Sequence, residues 1–124
     1  MGRPMYVTAV TACTAVLALS ACVQRPQPLY RWGSYETLVY QMYEQPGKAE
    51  PGAQVQQLTA DIERAQAEGK RVPPGVHAHL GYMHFMQGDT DAAADEFATE
   101  RALYPESDTF MTTFLSRLQT GDQP

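Results

Sequence analysis

The sequence predicts an all-α fold. Five segments repeat apolar residues every three or four positions, no segment shows the alternation of a half-buried strand, and Pro or Gly residues separate the five. The chain has 124 residues, of which 44% are hydrophobic and 19% charged, which provides enough apolar material for the core of one small domain. Because the turns between the segments are short, we expect about five helices packed as antiparallel neighbours.

Capping and breaking residues bound the five segments. Ser34 and Ser107 are suitable caps for the first and last helices, while Gly69 and Pro73 end the second. The helices are predicted over 34–45, 53–68, 75–87 and 90–103, and from 107 onward. Their predicted apolar faces are Tyr35, Leu38, Val39, Met42 and Tyr43 in the first helix; Val55, Leu58, Ile62 and Ala65 in the second; Phe97 in the fourth; and Phe110, Met111, Phe114, Leu115 and Leu118 in the fifth.

The first 21 residues have the pattern of a bacterial lipoprotein signal. Arg3 precedes an apolar core over residues 7–19, which is too short to span about 30 Å of hydrocarbon. The run Leu19-Ser20-Ala21-Cys22 that follows resembles the lipoprotein box. That resemblance implies cleavage between Ala21 and Cys22 and lipidation of the Cys22 sulfur, with further acylation by chains such as palmitate. The alternative is an ordinary secreted protein whose processed chain happens to begin near a cysteine.

A tether follows the predicted lipid anchor. Residues 22–29 contain Pro26 and Pro28 and no amphipathic period, so we expect a flexible, extended link to a helical domain over 30–120. Eight residues reach roughly 25 Å. Val23, rather than an aspartate, follows the cysteine. In the lipoprotein-sorting pattern that this resembles, such a residue implies the outer membrane, with the protein facing the periplasm.

The third and fourth segments resemble a tetratricopeptide repeat. The residues that carry the resemblance are Leu80-Gly81, Gly88-Asp89, Ala93, Phe97 and Pro105. Gly81 allows two helices to approach closely, and Gly88 suits the tight turn between them. Other places differ from the pattern, since His77, His84 and Glu100 replace its usual tryptophan, tyrosine and alanine. The resemblance implies one repeat-like hairpin and leaves open whether residues 34–68 form a second.

A tetratricopeptide-like hairpin implies a candidate partner-binding surface. The first helix of each such pair lines a concave groove, and the matching positions here are Ala78, Tyr82, Phe85 and Met86. Tyr40 lies off the apolar stripe of the first helix, where an aromatic residue often anchors an interface. The alternative is that the neighbouring helices cover these residues as ordinary core.

Several runs together resemble a family of small bacterial lipoproteins classed as a domain of unknown function. They are Tyr30-Arg31-Trp32-Gly33, Val72-Pro73-Pro74-Gly75, His77-Ala78-His79-Leu80-Gly81-Tyr82 and Tyr104-Pro105-Glu106-Ser107. Members are often encoded beside lipoproteins that resemble the curli-secretion pore. The resemblance therefore implies a place in the cell envelope and possible neighbours, but no catalytic residue.

The titratable residues predict neither a metal site nor an active site. His77 and His84 share a helix face but lie about 10.5 Å apart along the axis, and His79 points elsewhere, so we expect packing histidines. The acidic run Asp89, Asp91, Asp95, Glu96 and Glu100 lacks a calcium-loop pattern and is interpreted as a solvated helix face. No phosphate loop or nucleophile elbow occurs, so we expect no enzyme and no cofactor.

Charge and composition favour a protein-binding role. The net charge of −5 argues against nucleic acid as a partner. We expect a membrane-anchored adaptor or assembly factor for an envelope complex. The family resemblance implies a pore-forming lipoprotein like that of curli secretion as a candidate partner. Two alternatives stay open: a lipoprotein activator of a peptidoglycan synthase, and a structural envelope component that forms homo-oligomers.

Overall fold

The computed structural model describes residues 26–121. These residues form five α-helices: α1 (Tyr35–Glu44), α2 (Pro51–Ala67), α3 (Val76–Met86), α4 (Thr90–Leu103) and α5 (Asp108–Thr120), with short 3-10 turns at Pro46–Lys48 and Pro105–Ser107. About 74% of the described chain is helical and it contains no strand, which confirms the all-α prediction. The predicted signal peptide, its cleavage site and Cys22 lie outside the described residues.

Helices α2 to α5 pack in chain order. α3 packs along α4, α2 packs against α3, and α5 packs against α4. Their apolar residues form two core clusters. The first consists of Leu38, Leu58, Ile62, Val76 and Leu80, and the second of Phe85, Ala93, Phe97 and Met111. α1 joins the first cluster through Leu38, its one buried residue. Within residues 26–121, no helix combines the length and apolar character needed to cross a membrane.

Gly81 sets the spacing between α3 and α4. A Cβ atom at this position would lie only 2.7 Å from Cε1 of Phe97 and 3.1 Å from the carbonyl oxygen of Ala93. Ala93 and Phe97 are both buried, as predicted. Gly88 adopts a φ of +80° in the turn between the helices, a conformation that favours glycine. The predicted close approach and tight turn are therefore confirmed.

Two buried carboxylates hold the starts of α1 and α3. The backbone N–H and the hydroxyl of Ser34 donate to Oδ2 of Asp61 at 2.7 and 2.5 Å. In the same way, the N–H groups of Gly75 and Ala78 donate to the carboxylate of Glu100 at 2.7 and 3.3 Å. In each case a side chain from the following helix satisfies N–H groups that a helix start leaves without partners. This shared arrangement relates the α1–α2 and α3–α4 hairpins to each other.

The predicted solvated acidic face of α4 is wrong for Glu96 and Glu100. Glu100 is only 2% exposed, because its carboxylate lies beneath the N-terminus of α3. Oε2 of Glu96 lies 2.6 Å from Nδ1 of His77. Asp91 and Asp95 are exposed, and Asp89 caps α4 by accepting a hydrogen bond from the N–H of Ala92. The face is therefore divided between solvent and buried hydrogen bonds.

The chain before α1 is attached to the linker between the two hairpins. Tyr30 and Arg71 form an isolated parallel β-bridge, in which the N–H of Arg31 donates to Arg71 and the N–H of Arg71 donates to Leu29. The guanidinium of Arg71 lies over the rings of Tyr30 and Tyr104, 5.5 and 5.8 Å from their centroids. These contacts fix the place where residues 26–29 leave the folded domain.

Candidate functional site: an apolar groove

A groove of about 1060 Å³ lies between α1, α3 and α5. α1 contributes one wall, α5 the opposite wall, and α3 and α4 the base. Its lining is mostly apolar, and the polar groups in it are few. The lining residues are Tyr35, Val39, Met42, Tyr43, Pro74, Gly75, Ala78, His79, Tyr82, Phe85, Phe97, Glu100, Ser107, Phe110, Met111, Phe114 and Arg117.

The α1 wall forms because the N-terminus of α1 is held against the core, whereas its C-terminal half is not buried in the core. Leu38 is buried in the first core cluster, and the bonds from Ser34 to Asp61 fix the N-terminus. Val39 and Met42 are only partly buried, and both face the groove. Tyr43, which was predicted to belong to the buried stripe, is 75% exposed at the rim. The helical period was predicted correctly, but the stripe faces the groove rather than a closed core.

The α5 wall is built from phenylalanines around a buried methionine. Met111 anchors α5 in the second core cluster. The ring of Phe114 lies 5.1 Å from that of Phe97, 6.4 Å from Tyr82 and 4.9 Å from Phe110, measured between centroids. Phe110 itself is 62% exposed. Aromatic packing thus continues from the core to the rim without an intervening polar group.

Tyr35 closes one end of the groove. Gly75 has a φ of +90°, and a Cβ atom there would lie 2.6 Å from the Tyr35 hydroxyl. Burial, followed by the nearby charge of Glu100, raises the pKa of Tyr35 above its usual range, so its hydroxyl stays protonated at neutral pH. The Tyr35 ring also meets the ring of His79 edge-on, at a centroid distance of 5.7 Å. Two aromatic side chains therefore form this end of the groove.

His79 joins this end of the groove to α2. Its Nε2 lies 2.8 Å from Oε1 of the buried Gln54. Because the side-chain amide of Gln54 donates to the carbonyl of Ala49, Oε1 is the acceptor and Nε2 of His79 is the donor. Burial lowers the pKa of His79, which favours the neutral ring. The bond links the two hairpins without a charge.

The sequence-predicted partner residues fall into two groups. Ala78, Tyr82 and Phe85 line the groove, with Phe85 also belonging to the second core cluster. Met86, which is 48% exposed, and Tyr40, which is 57% exposed, lie outside the lining. Side chains of α3 therefore belong both to the groove lining and to the core. A role in binding stays a prediction for all five residues.

Sequence reasoning missed most of the two walls. It assigned Val39 and Met42 to the core face of the first helix, and Phe110 and Phe114 to that of the last. The available signal was that α1, α3 and α5 occupy alternate places in the chain, so all three present a face to the same side. Only α3 had a motif specific enough to suggest a groove.

The three histidines lie in separate environments. His77 pairs with Glu96, His79 with Gln54, and Nδ1 of His84 lies 3.8 Å from Oδ2 of Asp89. His77 and His79 are buried, as expected of packing histidines, but only His77 packs within the α3–α4 hairpin, since His79 contacts Tyr35 of α1 and Gln54 of α2. Among residues 26–121, no group of three or more potential ligand residues could hold a metal ion.

Comparison with known proteins identifies the family. Neither the curated proteins nor the solved structures include a match to this chain. Residues 29–114 match the family described as a domain of unknown function (DUF4810). The matched range contains the segment before α1 from Leu29 onward, α1 to α4, and α5 as far as Phe114. The chain is therefore a member of the DUF4810 family.

Proposed function

We propose that this protein is a membrane-anchored adaptor or assembly factor that binds an envelope protein in its apolar groove. The observation that carries the proposal is the groove itself, whose rim bears the exposed rings of Tyr43 and Phe110. Its volume lies at the upper end of small-molecule pockets, about 300–1000 Å³. A concave apolar surface with aromatic residues at its rim is typical of a protein-binding site.

The solvent-facing sides of the outer helices support an adaptor over a self-stacking component. On α5 the exposed residues include Thr112, Thr113, Ser116 and Gln119, and on α2 they include Gln56, Gln57, Thr59 and Glu63. Polar outer faces are what repeat arrays use to stop further stacking. Among the described residues, the exposed large hydrophobics Tyr43 and Phe110 lie at the groove, and the others lie elsewhere on the surface: Leu29, Trp32, Tyr40, Met86 and Leu103.

The proposed anchor is Cys22, lipidated after cleavage behind Ala21. The support is the lipoprotein-box resemblance together with the position of the attached segment: Pro26, Gln27 and Pro28 are exposed and lead away from the Tyr30–Arg71 bridge. Two or more acyl chains would hold the domain stably at a membrane. Confinement at the periplasmic face of the outer membrane would raise its effective concentration near an envelope partner.

Purification from membranes of the native host tests the proposal with a matched pair of variants. Tyr43→Ser removes an exposed ring at the groove rim, whereas Tyr40→Ser removes an exposed ring from the same helix outside the groove. We expect Tyr43→Ser to lose the bound partner, with little change in stability for either variant. The groove proposal expects Tyr40→Ser to keep the partner, whereas loss with Tyr40→Ser would support the sequence-based prediction that Tyr40 anchors an interface. Equal partner recovery with both variants would contradict the groove as the binding site.

The identity of the recovered protein separates the functional alternatives. A pore-forming lipoprotein would support an assembly factor for secretion, and a peptidoglycan synthase would favour the activator role. Recovery of only further copies of this chain would favour the self-associating component. In parallel, Cys22→Ser should release the protein from membranes washed with high salt; continued membrane association would contradict the lipid anchor.

A further inference from the structure

We infer that the groove accepts an amphipathic α-helix that carries a carboxylate beside its apolar face. This inference rests on the proposed function, because it names the kind of segment that an adaptor partner would insert. The competing occupants are an extended peptide and a fatty acyl chain. The groove's hydrogen-bonding groups argue against the extended peptide, and its open rim argues against the acyl chain.

Hydrogen bonding argues against an extended peptide. Within residues 26–121 the two walls and the base of the groove are helices, and the structure contains no strand edge that could pair with an incoming backbone. Two of the few polar groups in the lining are already engaged: Glu100 accepts from Gly75 and Ala78, and His79 donates to Gln54. An extended segment would therefore bury N–H and C=O groups without partners. A helix satisfies these groups internally and inserts only side chains.

The charge in the groove points to a carboxylate on the incoming helix. Arg117 of α5 lines the groove and forms no ion pair among the described residues. The carboxylate of Glu100 lies in the same lining, but N–H groups of α3 occupy both of its oxygens. Glu100 is only 2% exposed, whereas Arg117 is exposed. The charge that a partner meets at the groove surface is therefore that of Arg117, although the protein carries a net charge of −5. An acidic side chain on the partner would complement Arg117.

The open rim argues against a fatty acyl chain. Sites for small apolar ligands bury about 70–90% of the ligand surface. Here Tyr43 and Phe110, on opposite walls, are 75% and 62% exposed, so an acyl chain lying between them would remain largely in contact with water. A helix, about 10–12 Å across with its side chains, offers the rings on the two walls a much broader apolar surface than an acyl chain does. The rim rings then serve as contacts rather than as exposed apolar surface.

A peptide-display selection tests the inference. The full lipidated protein is held in nanodiscs, and random peptides of about 15 residues, long enough to form a helix, are selected against it after removal of binders to empty nanodiscs. We expect the enriched peptides to share apolar residues at i, i+3, i+4 and i+7 with an adjacent Asp or Glu. A proline placed in the middle of the best peptide should weaken binding about a hundredfold.

A charge reversal tests the role of Arg117. In the best peptide, replacing the acid by Gln should weaken binding about two- to fivefold, as expected for a partly exposed ion pair. Arg117→Glu should remove this difference and favour a peptide with Lys in place of the acid. Lys48→Glu is the matched control, since Lys48 is exposed and lies outside the groove lining. The same response from both variants would overturn the assignment of the carboxylate to Arg117.

Other outcomes would contradict the inference that the segment bound in the groove is an α-helix. These are enrichment of proline-rich or strand-like peptides, displacement of the best peptide by palmitate at similar concentrations, or no enrichment over empty nanodiscs. Such results leave the adaptor function standing if partner recovery still depends on Tyr43. Conversely, helix binding in vitro without any effect of Tyr43→Ser in the host would contradict the adaptor function and keep the ligand assignment.

Discussion

The two hairpins share one device and differ in how closely their helices approach. Asp61 holds the start of α1 just as Glu100 holds the start of α3. Six residues after each held residue, however, α3 has Gly81 and α1 has Tyr40. Gly81 lets α3 lie directly on Phe97, whereas Tyr40 at the corresponding place is 57% exposed. The α3–α4 hairpin, whose helices approach closely, therefore acts as the scaffold. The α1–α2 hairpin, called the open hairpin below, provides a wall of the groove.

The largest expected effect comes from removing the acid that caps α3. Glu100→Ala would leave the N–H groups of Gly75 and Ala78 buried without an acceptor, at a cost of roughly 3 kcal/mol in the free energy of unfolding. Asp61→Ala removes the corresponding acid from the open hairpin. Because α1 has a single buried residue, we expect that variant to unfold α1 locally and leave α3–α4 intact.

Urea unfolding and hydrogen exchange distinguish the two responses. Glu100→Ala should lower the urea midpoint, while Asp61→Ala should accelerate amide exchange in α1 with a smaller change in the midpoint. Equal loss of global stability in both variants would mean that α1 is as firmly integrated as α3.

A smaller effect is expected from adding one methyl group at the close contact. In Gly81→Ala the new Cβ lies 2.7 Å from the Phe97 ring, so either the ring or α3 must shift, at a cost of about 1–3 kcal/mol in the free energy of unfolding. Gly47→Ala is the matched control, because a Cβ there has no neighbour within 4 Å. It should change stability by less than about 0.5 kcal/mol. Similar midpoints for the two variants in urea would show that the hairpin is not limited by this contact.

The smallest expected effect concerns pH at the junction between the hairpins. His79 has a lowered pKa in the folded state, whereas in the unfolded chain it titrates near 6.5. Below that pH the unfolded state binds a proton that the folded state does not, so stability falls as the pH falls. His79→Gln should reduce the loss of unfolding free energy between pH 7 and pH 5.5 by about 1 kcal/mol or less. An unchanged pH dependence in this variant would exclude His79 as a contributor.

The helices could be predicted from the sequence because their signals are local. Gly69, Pro73 and Gly88 interrupt the chain through backbone geometry alone, and the observed ends lie within about two residues of the predicted ones. Ala93 and Phe97 were placed correctly because the small-then-large spacing matches a packing motif. These features depend on neighbours in the sequence rather than on the rest of the fold.

The groove depended on contacts that local patterns do not encode. Glu100 has the composition of a surface residue, and only the position of the α3 N-terminus above it makes burial favourable. Tyr43 follows the apolar period of α1, but whether that stripe meets a core or a groove depends on how far α1 stands from its neighbours. Sequence periodicity specifies which residues share a face, not what lies opposite.

The parallel bridge between Tyr30 and Arg71 has a mechanical consequence. Any pull on the chain upstream of Pro26 reaches this bridge before it reaches α1, so its two backbone hydrogen bonds and the stacked guanidinium bear the load first. The force is delivered to the linker after α2, at the seam between the hairpins, instead of to the loosely held wall. A pull on the chain upstream of Pro26 therefore has little effect on the shape of the groove.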